Sequence, residues 1–329
     1  MGKILVTGAT GFVGYHVAKK LVEGKRGEVF CLARPGSEKK FLKNLGVNIL
    51  AGDLRDPQSL SRALEGAEAL FHVAADYRLW AKDPDELIES NVRGTRNILE
   101  AARAAKVRRT VYTSSVSAVG RPEHGSGDES MDPAPAHLIG PYKKSKYLAE
   151  LEARRFAREG QDVVIVNPST PVGSHDVKPT PTGKLILDFL RGKMPAYLDT
   201  GLNLVDVEDV AEGHLLAWEK GKAGERYILG NRNMTLKEIL DMLSRVSGRP
   251  APEFKIPYWA AYAAGFCSTA WAGISGQPPG IPLDGVKMAR ETMFYRSDKA
   301  VRELGLPQTP VGTALEKAVR FFRDNGYCG

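Results

Sequence analysis

Tyr142 and Lys146 stand four residues apart in Tyr-Lys-Lys-Ser-Lys, an interval that stacks two side chains on one face of a helix. A phenol and an ammonium so placed can address the same point. Free tyrosine titrates near ~10 and shuttles protons poorly at neutral pH. A neighbouring cation favours the phenolate and brings it toward working pH. Such a pair is common by chance, and alone it is more often a partly buried tyrosine beside a solvated lysine. Upstream, Val111-Tyr112-Thr113-Ser114-Ser115 runs from apolar residues into hydroxyls. Strand alternation puts Thr113 and Ser115 on one side, at a strand end where open α/β sheets bind ligands. One hydroxyl there can hydrogen-bond a reacting oxygen as charge develops on it.

A second cluster suits a phosphate. The apolar run Lys3–Thr7 meets Gly8-Ala9-Thr10-Gly11-Phe12-Val13-Gly14, then a helical pattern carrying Val17, Ala18 and Leu21. Glycines there allow a tight turn, close approach of a pyrophosphate and close helix–sheet packing, while the helix end attracts the anion. The next strand ends Cys31-Leu32-Ala33-Arg34. An acid at that end would accept from the ribose 2′-hydroxyl of NAD, whereas arginine suits a 2′-phosphate. The acid is absent, so NADP(H) is the expected cofactor and NAD(H) the alternative.

These groups need a framework. Strands are expected at Lys3–Thr7, Glu28–Ala33, Val47–Ala51, Ala69–Val73, Arg109–Ser114 and Asp162–Asn167. Most are continuously apolar, as in a parallel sheet covered on both faces. Helix starts are marked by Asp56-Pro57 and Asp83-Pro84, an acceptor before a proline, and a helix is expected over 141–158. The β-α-β-α order predicts an α/β fold, a Rossmann-type doubly wound parallel sheet. After Asn167, repeated prolines break the rhythm. Residues 207–219 read as a helix capped by Asp206, a strand follows at Tyr227–Leu229, and the chain from Thr235 is mostly helical. The expected domains are 1–170, binding the dinucleotide and rejoined by 205–231, and a smaller, mostly helical substrate domain over 171–329.

Of 329 residues, 46 are Lys or Arg and 39 Asp or Glu, a net charge of +7. The basic residues come as scattered pairs rather than a stripe, which argues against nucleic acid. Three distant cysteines fit a reducing cytoplasm and no disulfide framework. No histidine shows metal-ligand spacing, and His72 reads as a core residue near the cofactor. His175 and Lys178 read as solvated loop residues, with anion binding as the alternative. Tyr258–Ile274 is uncharged but short of the ~20 residues a span requires, so it reads as a buried or surface-lying helix, the latter peripheral to the inner membrane.

The Thr-Gly-x-x-Gly-x-x-Gly spacing at Thr7–Gly14 resembles the short-chain dehydrogenase/reductase superfamily. The length, Tyr-x-x-x-Lys and Asn91-Val92-Arg93-Gly94-Thr95 are similar to its extended branch of sugar-nucleotide epimerases, dehydratases and dihydroflavonol reductase-like enzymes. More narrowly, Asp76-Tyr77-Arg78-Leu79-Trp80, Asn167-Pro168-Ser169-Thr170-Pro171-Val172-Gly173, Lys178-Pro179-Thr180-Pro181-Thr182-Gly183 and Leu204-Val205-Asp206-Val207-Glu208-Asp209-Val210-Ala211 resemble the bacterial hopanoid-associated sugar epimerases. This resemblance spans essentially the whole chain. It implies hydride transfer at a C–OH/C=O centre of a small sugar- or polyol-like, or lipid-linked, substrate. Tyr142 would be general acid in reduction and base in oxidation. Lys146 would lower its pKa and bind the nicotinamide ribose, and Ser115, with Thr113 as runner-up, would orient the carbonyl. Cofactor contacts are implied at Gly8, Thr10, Gly11, Phe12, Val13, Gly14, Arg34, Asp53, Leu54, Ala74, Asn91, Thr113, Tyr142, Lys146 and Pro168. Substrate contacts are expected at Tyr77, Arg78, Trp80, Ser115 and Ser169, with no metal.

A redox-neutral epimerase usually retains NAD, whereas Arg34 suits NADP(H), so a dihydroflavonol reductase-like carbonyl reductase is the alternative. An NADP sensor or a membrane-associated binding protein are the non-enzymatic ones. Relatives of this type often form homodimers through helices matching 84–105 and 141–158, and Leu87, Ile98, Leu99, Leu148 and Leu151 are compatible with that.

Overall fold

The computed structural model describes residues 2–78, 80, 83–123 and 125–328; Leu79 of the string around Trp80 lies outside them. The strands are β1 (Lys3–Thr7), β2 (Glu28–Ala33), β3 (Asn48–Ala51), β4 (Ala67–His72), β5 (Arg109–Thr113), β6 (Val163–Pro168), β7 (Thr170–Val172), β8 (Ala196–Tyr197), β9 (Gly201–Asp206), β10 (Arg226–Leu229), β11 (Arg232–Thr235) and β12 (Phe254–Lys255). The helices are α1 (Phe12–Glu23), α2 (Lys40–Asn44), α3 (Pro57–Leu64), α4 (Asp85–Ile88), α5 (Gly94–Ala104), α6 (Gly140–Arg158), α7 (Pro181–Leu190), α8 (Val207–Lys220), α9 (Leu236–Ser247), α10 (Tyr258–Ser275), α11 (Leu283–Met288) and α12 (Val311–Asp324).

Seven strands form one parallel sheet in the order β3-β2-β1-β4-β5-β6-β10. Their residues are apolar in succession because both faces are covered. Ile4, Val6, Val111, Val164 and Val166 pack against Val17 and Leu21 of α1 and Val210, Ala211 and Leu215 of α8. Leu5, Leu70, Tyr112, Val163 and Ile165 face Leu60 of α3, Ile98 and Leu99 of α5, and Ala149, Ala153 and Phe156 of α6. This is the expected doubly wound α/β architecture, and strand ends differ from expectation by only one or two residues. The small buried side chains Ser145, Ala149 and Ala153 let α6 lie close to the sheet.

The rest of the chain is less purely helical than its sequence predicts. It carries a three-stranded sheet, β11-β9-β7, and a two-stranded one, β12-β8. Strand β9 pairs parallel with β7 and antiparallel with β11, so its partners come from distant segments and leave no local signature. Its core joins Val172, Leu204, Met234, Leu240, Leu315 and Phe322.

Asp56 caps α3, accepting from Gln58 N at 3.1 Å, and Asp206 caps α8, accepting from Glu208 N at 2.8 Å. The start at Asp83-Pro84 differs. Asp83 accepts from Asp85 N, but α4 lasts four residues before a π-turn over Glu89–Arg93. That turn aims Asn91 inward, where it is buried. Leu87, Ile98 and Leu99 are fully buried within the chain itself, so they offer no face to a second copy. Leu148 and Leu151 alone of that set keep exposure.

Candidate active site

Strand β1 delivers the glycine turn. Gly8 has φ +75°, and a Cβ there would meet Ala74 N at 2.6 Å; a Cβ on Gly14 would collide with the Gly8 carbonyl. Helix α1 then starts at Gly11 with no side-chain cap and no acidic residue in its first turn. Its first-turn N–H groups and positive end are left to a ligand rather than to a side chain, the arrangement that suits a pyrophosphate. Thr10, Phe12 and Val13 belong to this turn and the first helical residues. The residues present fit a dinucleotide.

A hydrogen-bonded rim runs from that turn across the strand ends. Thr7 Oγ1 accepts from Ala74 N at 3.2 Å and is hydrogen-bonded to His72 Nδ1 at 2.8 Å. His72 Nε2 and Thr95 Oγ1 are hydrogen-bonded at 3.3 Å. Burial pushes His72 down to about 3, so it is neutral. Its ring lies 5.7 Å from that of Tyr112, and the Lys146 ammonium lies 5.6 Å from the Tyr112 ring centroid.

Helix α6 and the end of β5 bring the phenol, amine and hydroxyls together. Ser115 begins a tight turn, its hydroxyl oxygen accepting from Ser117 N at 3.1 Å, which leaves its proton free to donate. Tyr142 keeps partial exposure as a residue, while its phenolic end is enclosed. Burial raises its pKa, and the facing Ser115 and Ser117 hydroxyls pull it back. Ser117 is an addition the sequence did not single out; its hydroxyl lacks a partner within hydrogen-bond distance.

Lys146 Nζ donates to the Thr113 carbonyl at 3.0 Å, at the end of the strand that leads into Ser115. Burial lowers Lys146 itself to about 8, with the Glu150 charge opposing. Thr113 takes part through that carbonyl. Its hydroxyl donates to His214 Nε2 at 2.9 Å, because His214 Nδ1 gives its own proton to Val210 O at 2.7 Å. Thr113 is therefore no substitute for Ser115.

Below the pair sits an ion cluster that sequence reasoning missed. Glu150 is fully buried and pairs with Arg154 at 2.6 Å and Arg226 at 3.1 Å. Asn167 Nδ2 donates both to Glu150 Oε2 at 2.7 Å and to the Ser115 carbonyl at 3.0 Å. The available signal was spacing: Glu150 lies one turn beyond Lys146 and two beyond Tyr142.

The remaining expected residues divide. Asn91 is committed to protein, accepting from Asp76 N and donating to Asp76 O and Ser145 Oγ. Asp53 closes a turn and is clamped by Arg55 Nε and Nη2 at 3.0 and 2.8 Å. That pair holds its carboxyl below the usual range, with Arg34 contributing; Leu54 packs beside Gly94. Arg34 is exposed. Nearby, Lys39, Lys40, Lys43 and Lys178 line one open depression of about 540 Å³, a basic cluster assembled from separate segments. Arg78 is already neutralised by Asp76 and Glu86, at 2.7 and 3.0 Å, so it is not free to hold a substrate anion. Tyr77 is 41% exposed and Trp80 partly buried. Pro168 is buried in β6, and the Ser169 hydroxyl beside Gly230 has no partner. His175 is not a solvated residue. It stacks between Tyr15 and Phe321, with ring centroids at 4.6 and 5.3 Å.

Comparison with known proteins shows the family. Residues 4–230 match the NAD dependent epimerase/dehydratase family. The chain belongs to that family. A Synechocystis sp. protein named as a candidate dihydroflavonol 4-reductase is 50% identical over 98% of this chain and 95% of its own length. Sterol demethylase protein B of Methylococcus capsulatus is 35% identical over 98% of each. The solved structure of gox2253 is 43% identical, covers both chains completely and superposes with a TM-score of 0.89.

As a member of the epimerase/dehydratase family, the chain is an NAD(P)-dependent enzyme of the extended short-chain dehydrogenase/reductase type. The family match runs through β10 and ends at residue 230, so it takes in the whole large sheet. Among the described residues, no cluster of three or more His, Cys, Asp or Glu could hold a metal ion.

Proposed function

We propose that this enzyme is an NADPH-dependent reductase of a ketone or aldehyde on an apolar or lipid-linked substrate. The observation that carries the reading is the enclosed Tyr142 phenol facing Ser115 and Ser117, with Lys146 anchored one helical turn away. A bound nicotinamide nucleotide supplies the hydride. In reduction Tyr142 gives its proton to the substrate oxygen as negative charge grows there, and Ser115 donates a hydrogen bond to the same oxygen. The buried Lys146 ammonium offsets the charge left on the phenolate, which regains a proton from solvent.

Cofactor contacts are assigned to the turn Gly8–Gly14, to Ala74 at its flank, to Asp53 and Leu54, and to Lys146. Arg34, with no acid at Ala33, takes the 2′-phosphate, which makes NADP(H) the preferred form over NAD(H). The nucleotide layer is residues 1–170 with 205–231; the remainder forms the substrate unit, with Tyr77, Trp80 and Ser169 toward the substrate. Similarity to a sterol demethylase component supports an apolar substrate, and the free thiols Cys31, Cys267 and Cys328 suit a reducing cytoplasm.

The second reading is the hopanoid-associated sugar epimerase, favoured by the family's own chemistry. Incubation of a candidate substrate with NADPH separates the two. A reductase consumes one NADPH per product and stops when it is exhausted. An epimerase converts substrate without net loss of NADPH. No NADPH oxidation with any ketone or aldehyde overturns the first reading.

A further inference from the structure

No Asp, Glu, Lys, Arg or His occurs between Ile256 and Leu283. A helix apolar on all sides is normally buried, yet of α10 only Gly265 and Ala272 are. Trp259 is 74% exposed, Phe266 57%, Trp271 68% and Ile274 81%. At ~100° per residue these side chains, with Tyr262, spread over about half the helix circumference, opposite Gly265 and Ala272. The covered side rests on α11, where a Cβ on Gly265 would meet Val286 and Leu283 at 3.0 and 3.4 Å. No helix of the described residues is long and apolar enough to cross a membrane.

Basic residues flank this face, two of them ion-paired. Lys255 precedes α10, Lys287 and Arg290 follow it, and the Arg290 guanidinium lies 5.9 Å from the Tyr258 ring centroid. Asp199 meets Lys255 at 2.6 Å, and Asp284 lies 3.8 Å from Lys287, so Arg290 is the cation with no ion pair among the described residues. Exposed tryptophan and tyrosine on an apolar helix beside Arg290 match the aromatic belt of a bilayer surface. On the covered side, α11 reaches the start of α6: a Cβ on Gly140 would lie 2.7 Å from Asp284 Oδ2.

We propose that α10 is an interfacial helix that docks the enzyme on an anionic bilayer, with Trp259, Phe266, Trp271 and Ile274 in the headgroup–acyl boundary. This goes beyond the redox reading and does not depend on it.

Co-sedimentation of the full chain with vesicles of equal parts phosphatidylglycerol and phosphatidylcholine tests it, against phosphatidylcholine alone. The wild type pellets with the mixed vesicles, at least about fivefold more tightly than with the neutral ones. The variant Trp259→Glu/Phe266→Glu/Trp271→Glu stays in the supernatant, with circular dichroism and melting unchanged. Should that variant not fold, the wild type's tryptophan emission decides: a blue shift on adding mixed vesicles supports docking, and no shift overturns it. Wild type remaining in the supernatant with both vesicles overturns the proposal. So does a concentration-dependent dimer in sedimentation velocity that the variant dissolves, since a second copy then covers the face.

Discussion

The Asn167 side-chain amide donates to the buried Glu150 carboxylate at 2.7 Å, and the same nitrogen reaches the Ser115 carbonyl at 3.0 Å. One residue thus ties the Ser115 backbone to the helix that carries Tyr142 and Lys146. Glu150 also keeps Lys146 protonated, since its charge opposes the effect of burial.

Glu150→Gln therefore acts on pH dependence as well as on stability. Burial brings Lys146 down to about 8, and the proposed reductase activity should decline as its ammonium is lost above that pH. Without the carboxylate the alkaline limb moves to lower pH, visible in a kcat profile. Arg226 keeps Asp132 and the Glu129 and Met131 carbonyls, so loss of the buried carboxylate costs stability well short of an unpaired charge, read as a lower melting temperature. An unmoved limb would show that Glu150 acts only on packing.

Tyr142→Phe removes the proton donor and keeps the ring. We expect kcat to fall about 10²–10⁴-fold while NADPH binding, followed by fluorescence titration, holds. Ser115→Ala removes one donor to the developing oxyanion and costs about 10²–10³-fold.

Arg34→Ala weakens NADPH through loss of a charge-assisted hydrogen bond worth about 1.5–3 kcal/mol, roughly ten- to a hundredfold in Kd. NADH binding stays nearly constant. Equal losses for both nucleotides would place the 2′-phosphate elsewhere, with the lysine-lined depression the next candidate.

Gly14→Ala drives a methyl into the Gly8 carbonyl. Overpacking of this kind costs about 1–3 kcal/mol, and nucleotide affinity falls with it because the turn must open. Gly273→Ala in α10 meets nothing within 4 Å and, in a helix, should instead stabilise by up to about 1 kcal/mol. Paired thermal melts distinguish the two glycines.

Acid should destabilise the fold before most carboxylates titrate. Burial lowers His72 to about 3 and His214 to about 4, while the unfolded chain binds those protons near ~6.5. Between these values the unfolded state holds more protons, so stability rises with pH and is lost as pH falls below ~6.5. Each histidine contributes up to about 1.4 kcal/mol per pH unit in that window. Urea melts at pH 7 and pH 5 measure the slope, and His214→Gln should reduce it.

The sheet, the glycine turn and the Tyr142–Lys146 pair were legible in the sequence because each rests on local spacing: apolar runs, glycines at fixed offsets, two side chains one helical turn apart. The partners of those groups were not. Lys146 bonds the Thr113 carbonyl, Thr113 turns to His214, and Arg226 reaches Glu150 across the fold. Such pairings join segments far apart in the chain, and only the packing of helices on the sheet selects them. Tyr258–Ile274 shows the same division. Composition alone marked it as an apolar helix, but whether that surface faced the core or solvent depended on what α11 and the rest of the fold left uncovered.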